Sequence, residues 1–259
     1  HRDLHSFPTR RSSDLLPEGD VLISMEDGNL TKLRCGRSSF KIVGLDPKDF
    51  PEDKEFTEEW SFTLPANDLR KCLAKVSYSR SLDESRHVLA GVLMSVREGM
   101  LSIAATDGRR LALIERSLEE SGAPDGDVIL PSKIVGELSK LLTGEEKVCV
   151  KLSDSRAVFE CSDMVIGSKL VEGNYPNYRQ VIPENFAHSV AIPRVTFEHV
   201  LSRVALVVSD SSASILLTLQ NSVMNISASS AEVGEAEEPM DISYEGEKFE
   251  MSFNPDFFR

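Results

Sequence analysis

The stretch FTLPANDLRKCLAKV, residues 62–76, returns 128 residues later as VAIPRVTFEHVLSRV, residues 190–204. The two copies align without a gap, and Pro65 falls on Pro193. The first copy carries apolar residues at the i, i+3, i+4 and i+7 spacing of one helix face, namely Leu69, Cys72, Leu73 and Val76. Both copies therefore predict an amphipathic helix that begins just after a proline.

Two further matches have nearly the same spacing. GVLMSVREGMLSIAATD, residues 91–107, corresponds to SILLTLQNSVMNISASS, residues 214–230. Residues 16–51 correspond in the same way to residues 142–176. Because the period has the size of a domain, the pattern indicates tandem similar domains and not a solenoid of short repeats.

The repeat divides the chain into four parts. Residues 1–14, HRDLHSFPTRRSSD, show no periodicity and read like a translated sequencing adapter, so we expect a non-native leader there. We expect residues 15–57 to be the C-terminal part of a first domain and residues 58–187 a complete second domain. Residues 188–259 are expected to be the N-terminal part of a third domain. On this division, the chain is expected to be clipped at both ends.

The complete second part predicts two helices and about eight strands. The helices are expected over about residues 66–78 and 132–142, with Asn67 or Asp68 supplying an early capping oxygen to the first. The clearest strand patterns are residues 87–96, 100–106, 111–116, 147–152, 157–162 and 164–170. Because helices and strands are segregated and do not alternate, the predicted fold class is α+β with antiparallel sheets.

Composition excludes several classes of protein. No apolar run approaches the roughly 20 residues that span a bilayer, so we expect no membrane association. The four cysteines and five histidines show no metal-ligand spacing, so no metal and no other cofactor is expected. We interpret the cysteines as buried apolar residues, and His87 and His199 as surface residues. The net charge of −13 argues against a surface that is basic throughout, but a local basic stripe remains compatible with nucleic acid.

Cationic residues cluster on the outer faces of the predicted helices, whereas acids concentrate in stretches such as residues 231–241. The candidate set is Arg70, Lys71, Lys75, Arg80, Arg86, Lys133, Lys140 and Arg203. One interpretation is that these are ordinary solvated helix faces. The other is a surface for a polyanion, which would make nonspecific, salt-sensitive contacts with phosphates.

The cluster TDGRR, residues 106–110, has the residue types of an active site or a phosphate site. However, the sequence contains no nucleophile elbow, P-loop, zinc-protease motif or dinucleotide fingerprint, so no catalytic residue is assigned. Asp107-Gly108 is typical of a tight turn between two strands. We expect the exposed guanidinium groups beside that turn, together with Leu111, to frame a recognition pocket.

ATDGRRLAL, residues 105–113, and SKLVEGNYPNYRQVIP, residues 168–183, resemble two segments of the bacterial sliding clamps, the DNA polymerase III β-subunit family. The resemblance extends over residues 16–259. It implies a DNA-clamp fold of three similar domains, with two subunits that close head to tail into a homodimeric ring around duplex DNA. Helices would line the hole and sheets would form the outer wall. The resemblance also implies a processivity factor that performs no bond chemistry.

The resemblance gives the candidate residues their roles. The cationic set would face the phosphates of duplex DNA without reading its sequence. A pocket would receive peptides from the polymerase III α subunit, the clamp loader and other proteins with a clamp-binding motif; its residues would be Leu89, Thr106, Gly108, Arg109, Arg110, Leu111, Pro176, Gln180 and Val181. Arg109 stands where the family often has histidine, and Gln180 where some members have arginine. The rest of the pocket wall belongs to the end of the third domain, so weak peptide binding is expected. The implied location is the cytoplasm, at replication forks on the nucleoid.

Two other classes of function remain open on the residues alone. The chain is compatible with an enzyme that acts on a phosphorylated substrate through Asp107 and Arg110. It is also compatible with a β-rich interaction module that has no role on DNA. Loss of nucleotide turnover in Asp107→Asn would support the first alternative. Equal retention on circular and linear DNA would contradict a closed ring.

Overall fold

A computed structural model describes residues 16–26, 28–50, 56–118, 125–209 and 213–258. The chain divides into two compact units, residues 1–56 and 57–259. The expected leader, residues 1–14, lies outside the described residues.

The smaller unit contains one antiparallel meander. Its strands are β1 (Val21–Glu26), β2 (Leu30–Cys35) and β3 (Ser38–Val43), hydrogen-bonded in that order. Ile23 pairs with Leu33, and Leu33 pairs with Phe40, so these three apolar side chains share one face of the sheet. Ser24, Lys32 and Lys41, which are paired in the same way, lie on the opposite face.

The larger unit contains two successive groups of elements. The first group is β4 (Trp60–Pro65), α1 (Ala66–Val76), α2 (His87–Ala90), β5 (Val92–Arg97), β6 (Met100–Thr106), β7 (Leu111–Ser117), β8 (Gly126–Leu130), α3 (Ser132–Leu141), β9 (Lys147–Leu152), β10 (Arg156–Cys161) and β11 (Met164–Lys169). The second group is α4 (Arg194–Val204), β12 (Ile215–Gln220), β13 (Val223–Ser230), β14 (Gly234–Asp241) and β15 (Phe249–Phe253). Short 3-10 turns cover Pro47–Asp49, Ser77–Ser79, Tyr178–Val181, Ala205–Val207 and Pro255–Phe257. The α+β class predicted from the sequence is confirmed.

The strands of the larger unit form three four-stranded antiparallel sheets. Their orders are β11-β10-β9-β4, β7-β6-β5-β8 and β14-β13-β12-β15. The last two orders are the same pattern, displaced by one repeat. Leu93 pairs with Ala104 in the first of these, and Leu216 pairs with Ser227 at the equivalent place in the second.

The predicted repeat is present in the element boundaries. Both ends of α4 follow the ends of α1 by 128 residues, and both ends of β12 follow those of β5 by 123 residues. The 3-10 turn Pro255–Phe257 stands where α3 begins in the preceding copy. Repeated apolar patterns therefore produce α1 and β5 to β8 of the first copy again as α4 and β12 to β15 of the second.

The first helix forms as its periodicity predicts, but the predicted side-chain cap at its N-terminus does not form. α1 buries the predicted stripe of Leu69, Cys72, Leu73 and Val76. Pro65 occupies the N-cap position and no side chain caps the helix. The prediction that Asn67 or Asp68 supplies the cap is therefore wrong. Asn67 Oδ1 instead accepts a hydrogen bond from Arg70 Nη2 at 2.8 Å, one turn further along the helix.

The predicted strand over residues 87–96 is wrong in its first half. Residues 87–90 form the single helical turn α2, in which the N–H groups of Leu89 and Ala90 both donate to the Arg86 carbonyl. Gly91 then allows a close approach, because a Cβ there would lie 2.5 Å from Ile129 Cγ2. The chain can enter the strand only after this turn.

The sheet β7-β6-β5-β8 is covered on both faces. Met94 and Ile103, paired across β5 and β6, belong to the main core with α1 and α3. Leu93 and Ala104, the neighbouring pair, face a second apolar cluster that contains Tyr178. Burial on both faces explains why β5 and β6 read as continuous apolar runs and do not alternate.

The remaining expectations about single residues are mostly confirmed. All four cysteines are free, and only Cys149 is not fully buried. Burial raises the pKa of the Cys72 thiol, as expected for an unreactive core residue. Both His87 and His199 are exposed.

Within the described part of the chain, no helix is long and apolar enough to cross a bilayer.

Candidate functional site

Residues 107–110, called here the 107–110 loop, connect β6 to β7. Thr106 and Leu111 form the last cross-strand pair on either side of it. Gly108 has φ +89°, a left-handed conformation that favours glycine. The turn predicted at Asp107-Gly108 is therefore confirmed, with four residues between the two strands.

Asp107 holds the loop together from within. Its Oδ1 accepts the N–H groups of Arg109 and Arg110 at 2.9 and 3.0 Å, and its Oδ2 accepts Arg110 Nε at 3.1 Å. Burial alone would raise the pKa of Asp107, but these donors outweigh burial and lower it. Both carboxylate oxygens are thus engaged inside the loop at neutral pH.

Thr106 closes the same turn through its hydroxyl. Thr106 Oγ1 donates to the Arg110 carbonyl at 2.7 Å and accepts the Gly108 N–H at 3.0 Å. Among the described residues, no group of three His, Cys, Asp or Glu side chains could hold a metal ion. With Asp107 used as an internal acceptor, the geometry offers no support for an enzyme that works through this carboxylate.

Arg110 connects the loop to the second group of elements. Its guanidinium lies 5.7 Å from the ring centroid of Tyr78 and 5.1 Å from that of Phe257, within the range of cation–π attraction. Arg110 Nη1 also donates to the Asp256 carbonyl at 3.3 Å. The expectation of exposed guanidinium groups is right for Arg109 but wrong for Arg110, whose side chain is only 23% exposed.

Arg86 lies at this loop and not on the cationic helix faces. Its Nη1 donates to the Asp107 carbonyl at 2.9 Å, and its guanidinium lies over Gly108. Arg86 immediately precedes the α2 turn, which carries the predicted pocket residue Leu89. Arg86 therefore lies at the rim of the loop, and its DNA-facing role stays a prediction.

The segment of residues 171–181, which carries the remaining predicted pocket residues, contacts the start of the loop through Tyr175. Tyr175 Oη accepts the Thr106 N–H at 3.0 Å, and Tyr175 packs on the same apolar cluster as Leu111. Pro176, Gln180 and Val181, which follow Tyr175 in this segment, are exposed. Tyr78, Tyr175 and Phe257 were not predicted as site residues, although Tyr78 ends the predicted helix over residues 66–78 and Tyr175 lies in the stretch 168–183.

The cations of α1 and α3 divide into free and engaged groups. Lys71, Lys75 and Lys133 are exposed, and α1 packs against α3, so these three side chains belong to neighbouring helices. Arg70 is bound to Asn67, and Lys140 Nζ lies 3.1 Å from Glu137 Oε1. The cations of α1 and α3, which look equivalent in the sequence, therefore differ in whether their side chains are free to contact a phosphate.

Arg80 and Arg203 also make contacts of their own, and that of Arg203 is the stronger. Arg80 Nη1 donates to the neighbouring Ser81 carbonyl at 3.4 Å. Arg203 makes a two-point contact with Glu238, with Nε–Oε1 at 2.7 Å and Nη2–Oε2 at 2.6 Å. This guanidinium lowers the pKa of Glu238, so the two charges largely neutralise each other.

A cavity of about 840 Å³ lies elsewhere on the first group of elements. Its walls include Trp60, the ion pair of Arg97 and Asp127 at 2.7 Å, and the segment around Tyr175. It shares only Pro176 with the residues predicted for the pocket. This cavity was not predicted from the sequence because several separate segments form its walls.

The chain matches two family models. Residues 63–177 match the model described as the central domain of the DNA polymerase III beta subunit, and residues 179–259 match the model of its C-terminal domain. A beta sliding clamp from Chlamydia pneumoniae is 31% identical over 256 residues, which is 98% of this chain and 70% of the relative. One from Proteus mirabilis is 32% identical over 254 residues, or 96% of this chain and 69% of the relative.

Solved structures agree with these matches. The DNA polymerase III subunit beta from Pseudomonas aeruginosa superposes with a TM-score of 0.87 at 30% identity, covering 97% of this chain and 71% of that one. The sliding clamp from Bartonella birtlesii, solved bound to griselimycin, gives a TM-score of 0.88 at 29% identity, covering 96% of this chain and 68% of that one. The chain therefore spans about 70% of the length of such relatives.

Proposed function

We propose a DNA-tethering role for this chain, which belongs to the DNA polymerase III beta subunit family, the sliding clamps. The members of this family are processivity factors and not catalysts. In our proposal the protein contributes to a homodimeric ring around duplex DNA, in the cytoplasm at replication forks. Holding the polymerase on the template by topology raises its effective concentration at the primer end.

The placement of the free lysines supports the DNA-facing part of this proposal. Lys71, Lys75 and Lys133 are exposed on two helices that pack against each other, in a chain whose net charge is −13. Such a patch attracts phosphates without reading sequence, and acidic surfaces elsewhere disfavour binding of DNA outside the ring. We rank these lysines above Arg70, Lys140, Arg80 and Arg203, whose side chains are already engaged.

A topological assay tests the ring. The protein, loaded with its clamp loader onto nicked circular DNA, is expected to stay bound and to leave when the circle is cut once. Equal retention on circular and linear DNA would favour a DNA-binding module that forms no ring. No retention on either DNA would favour an interaction protein without a role on DNA.

The Arg110 contact carries the proposal of a partner pocket. It joins the 107–110 loop to Phe257, so that side chains of both groups of elements border one site. We propose that this site receives the clamp-binding peptide of the polymerase III α subunit, and that the clamp loader and other partners use the same site. The walls would be Leu89, Thr106, Gly108, Arg109, Arg110, Leu111, Pro176, Gln180 and Val181, with Arg86, Tyr78 and Phe257 added.

A small-molecule ligand offers a second test of this site. The Bartonella birtlesii relative was solved bound to griselimycin. We propose that this chain also binds griselimycin and that the compound competes with the α-subunit peptide. Displacement of a fluorescein-labelled peptide by griselimycin is expected, whereas simultaneous binding of both ligands would place them at different sites.

A further inference from the structure

The segment that carries Pro176, Gln180 and Val181 is tied to the β6–β7 hairpin at two points. At the first, Tyr175 Oη accepts the Thr106 N–H at 3.0 Å, beside the start of the 107–110 loop. At the second, Arg179 Nη2 donates to Glu115 Oε1 at 2.6 Å and to Ser102 Oγ at 3.2 Å. One tie lies before Pro176 and Asn177, and the other directly precedes Gln180.

The two ties differ in their surroundings. Tyr175 is half-buried among apolar side chains, where water does not replace a lost hydrogen bond easily. Ser102 is buried, and it also donates to Glu115 Oε1 at 3.0 Å, so it orients the carboxylate that receives Arg179. Between the two ties, the buried ring of Tyr178 packs against Leu93 and Ala104.

We propose that Tyr175 and Arg179 are positioning residues for the partner pocket. They fix residues 175–181 against the hairpin whose end is the 107–110 loop, so that the two sides of the pocket are already in place before a peptide arrives. A preformed site avoids the entropic cost of ordering this segment on binding. This inference rests on the proposed peptide-binding function, and neither residue needs to contact the peptide.

Four variants and one control test the inference. Tyr175→Phe removes only the hydroxyl and is expected to weaken binding of the labelled α-subunit peptide about 3- to 10-fold. Arg179→Glu and Glu115→Arg are each expected to weaken it ~2- to 5-fold, as is usual for an exposed ion pair. The double variant, which exchanges the two charges, is expected to recover most of the affinity. The control is Arg97→Glu, which breaks a similarly exposed pair on β5 and β8 and is expected to leave affinity unchanged.

Hydrogen exchange of the Thr106 amide, followed by NMR, tests its hydrogen bond to Tyr175 Oη in the absence of peptide. Exchange is expected to accelerate in Tyr175→Phe, and in Arg97→Glu to stay as in the unaltered protein. The inference fails if Tyr175→Phe changes neither exchange nor affinity, if the charge exchange restores nothing, or if Arg97→Glu weakens the peptide equally. A third result separates the inference from the proposed function. If Tyr175→Phe accelerates the exchange but the unaltered protein binds no peptide even at ~1 mM, the structural contact is confirmed and the proposed pocket function is rejected.

Discussion

The guanidinium of Arg110 lies 5.1 Å from the ring centroid of Phe257, and its Nη1 donates to the carbonyl of the adjacent Asp256 at 3.3 Å. Arg110 belongs to the turn after β6, and Phe257 to the short turn after β15, so the contact joins two successive copies of the repeat. Asp107 and Tyr78 contact the same guanidinium. Arg110 is therefore both a structural link and part of the proposed pocket.

Replacing Arg110 should affect stability and peptide binding together. Arg110→Ala removes one ion pair and two cation–π contacts, and it leaves Asp107 Oδ2 without its partner. We expect the free energy of unfolding to fall by about 1–3 kcal/mol and peptide affinity to fall about 10-fold. Urea denaturation and fluorescence anisotropy measure the two effects.

The control for Arg110 is its exposed neighbour in the loop. Arg109→Ala should change the free energy of unfolding by no more than about 0.5 kcal/mol, because Arg109 engages the loop through its backbone N–H. Equal losses of stability in the two variants would contradict the structural role assigned to Arg110.

Asp107 should make stability depend on pH at the acid end. Its pKa is lowered in the folded protein, so its contribution is present above the unfolded-state pKa of about 3.9 and is lost as pH falls through the folded-state pKa. We expect Asp107→Asn to be less stable than the unaltered protein by about 1–2 kcal/mol at pH 7. The difference should shrink below pH ~4. A difference that stays constant from pH 7 to pH 3 would show that the charge of Asp107 is not what stabilises the loop.

Two glycine substitutions should have opposite effects. A Cβ at Gly126 would lie 2.5 Å from Trp60 Cζ2, so Gly126→Ala should lower the free energy of unfolding by about 1–3 kcal/mol. It should also alter the fluorescence of Trp60, the single tryptophan of the chain. Gly136 lies within α3 with nothing near its Cβ position, so Gly136→Ala should raise stability by about 0.5–1 kcal/mol. A stabilising Gly126→Ala would refute the close packing of β8 on Trp60.

The free lysines should matter more for DNA than the engaged arginine. Removing Lys71 and Lys75 by alanine substitution should weaken nonspecific duplex binding and reduce the slope of log affinity against log salt by about 1–2. Arg203→Ala should change the slope less, because Glu238 already binds that guanidinium. Lys248→Ala serves as control, since Lys248 pairs with Glu250 at 2.7 Å away from the helices. A slope unchanged by the double lysine variant would remove α1 from the DNA-facing surface.

Local patterns predicted most of the fold, and tertiary contacts account for most of the errors. The helix over residues 66–76 and the turn at Asp107-Gly108 follow from apolar spacing and turn chemistry, both of which act within a few residues. The two aromatic partners of Arg110 lie far away in the chain, so no spacing rule could have found Tyr78 or Phe257.

Arg86 illustrates the same limit among the charged residues. Arg86 was predicted only as one of the DNA-facing cations, and the fold brings its guanidinium to the Asp107 carbonyl. The sequence likewise did not indicate that Arg203 pairs with Glu238, which lies on β14. Charge composition thus identified the candidates, but only the fold could sort free cations from engaged ones.

In the proposed function, a partner peptide binds where the 107–110 loop meets Phe257. Titration of the isotope-labelled protein with the α-subunit peptide, followed by amide NMR shifts, tests it directly. Shifts are expected at Thr106, Gly108, Leu111, Val181 and Phe257, with little change along β9 and β10. Shifts confined to the cavity around Trp60, Asp127 and Val128 would place the peptide elsewhere and contradict the claim.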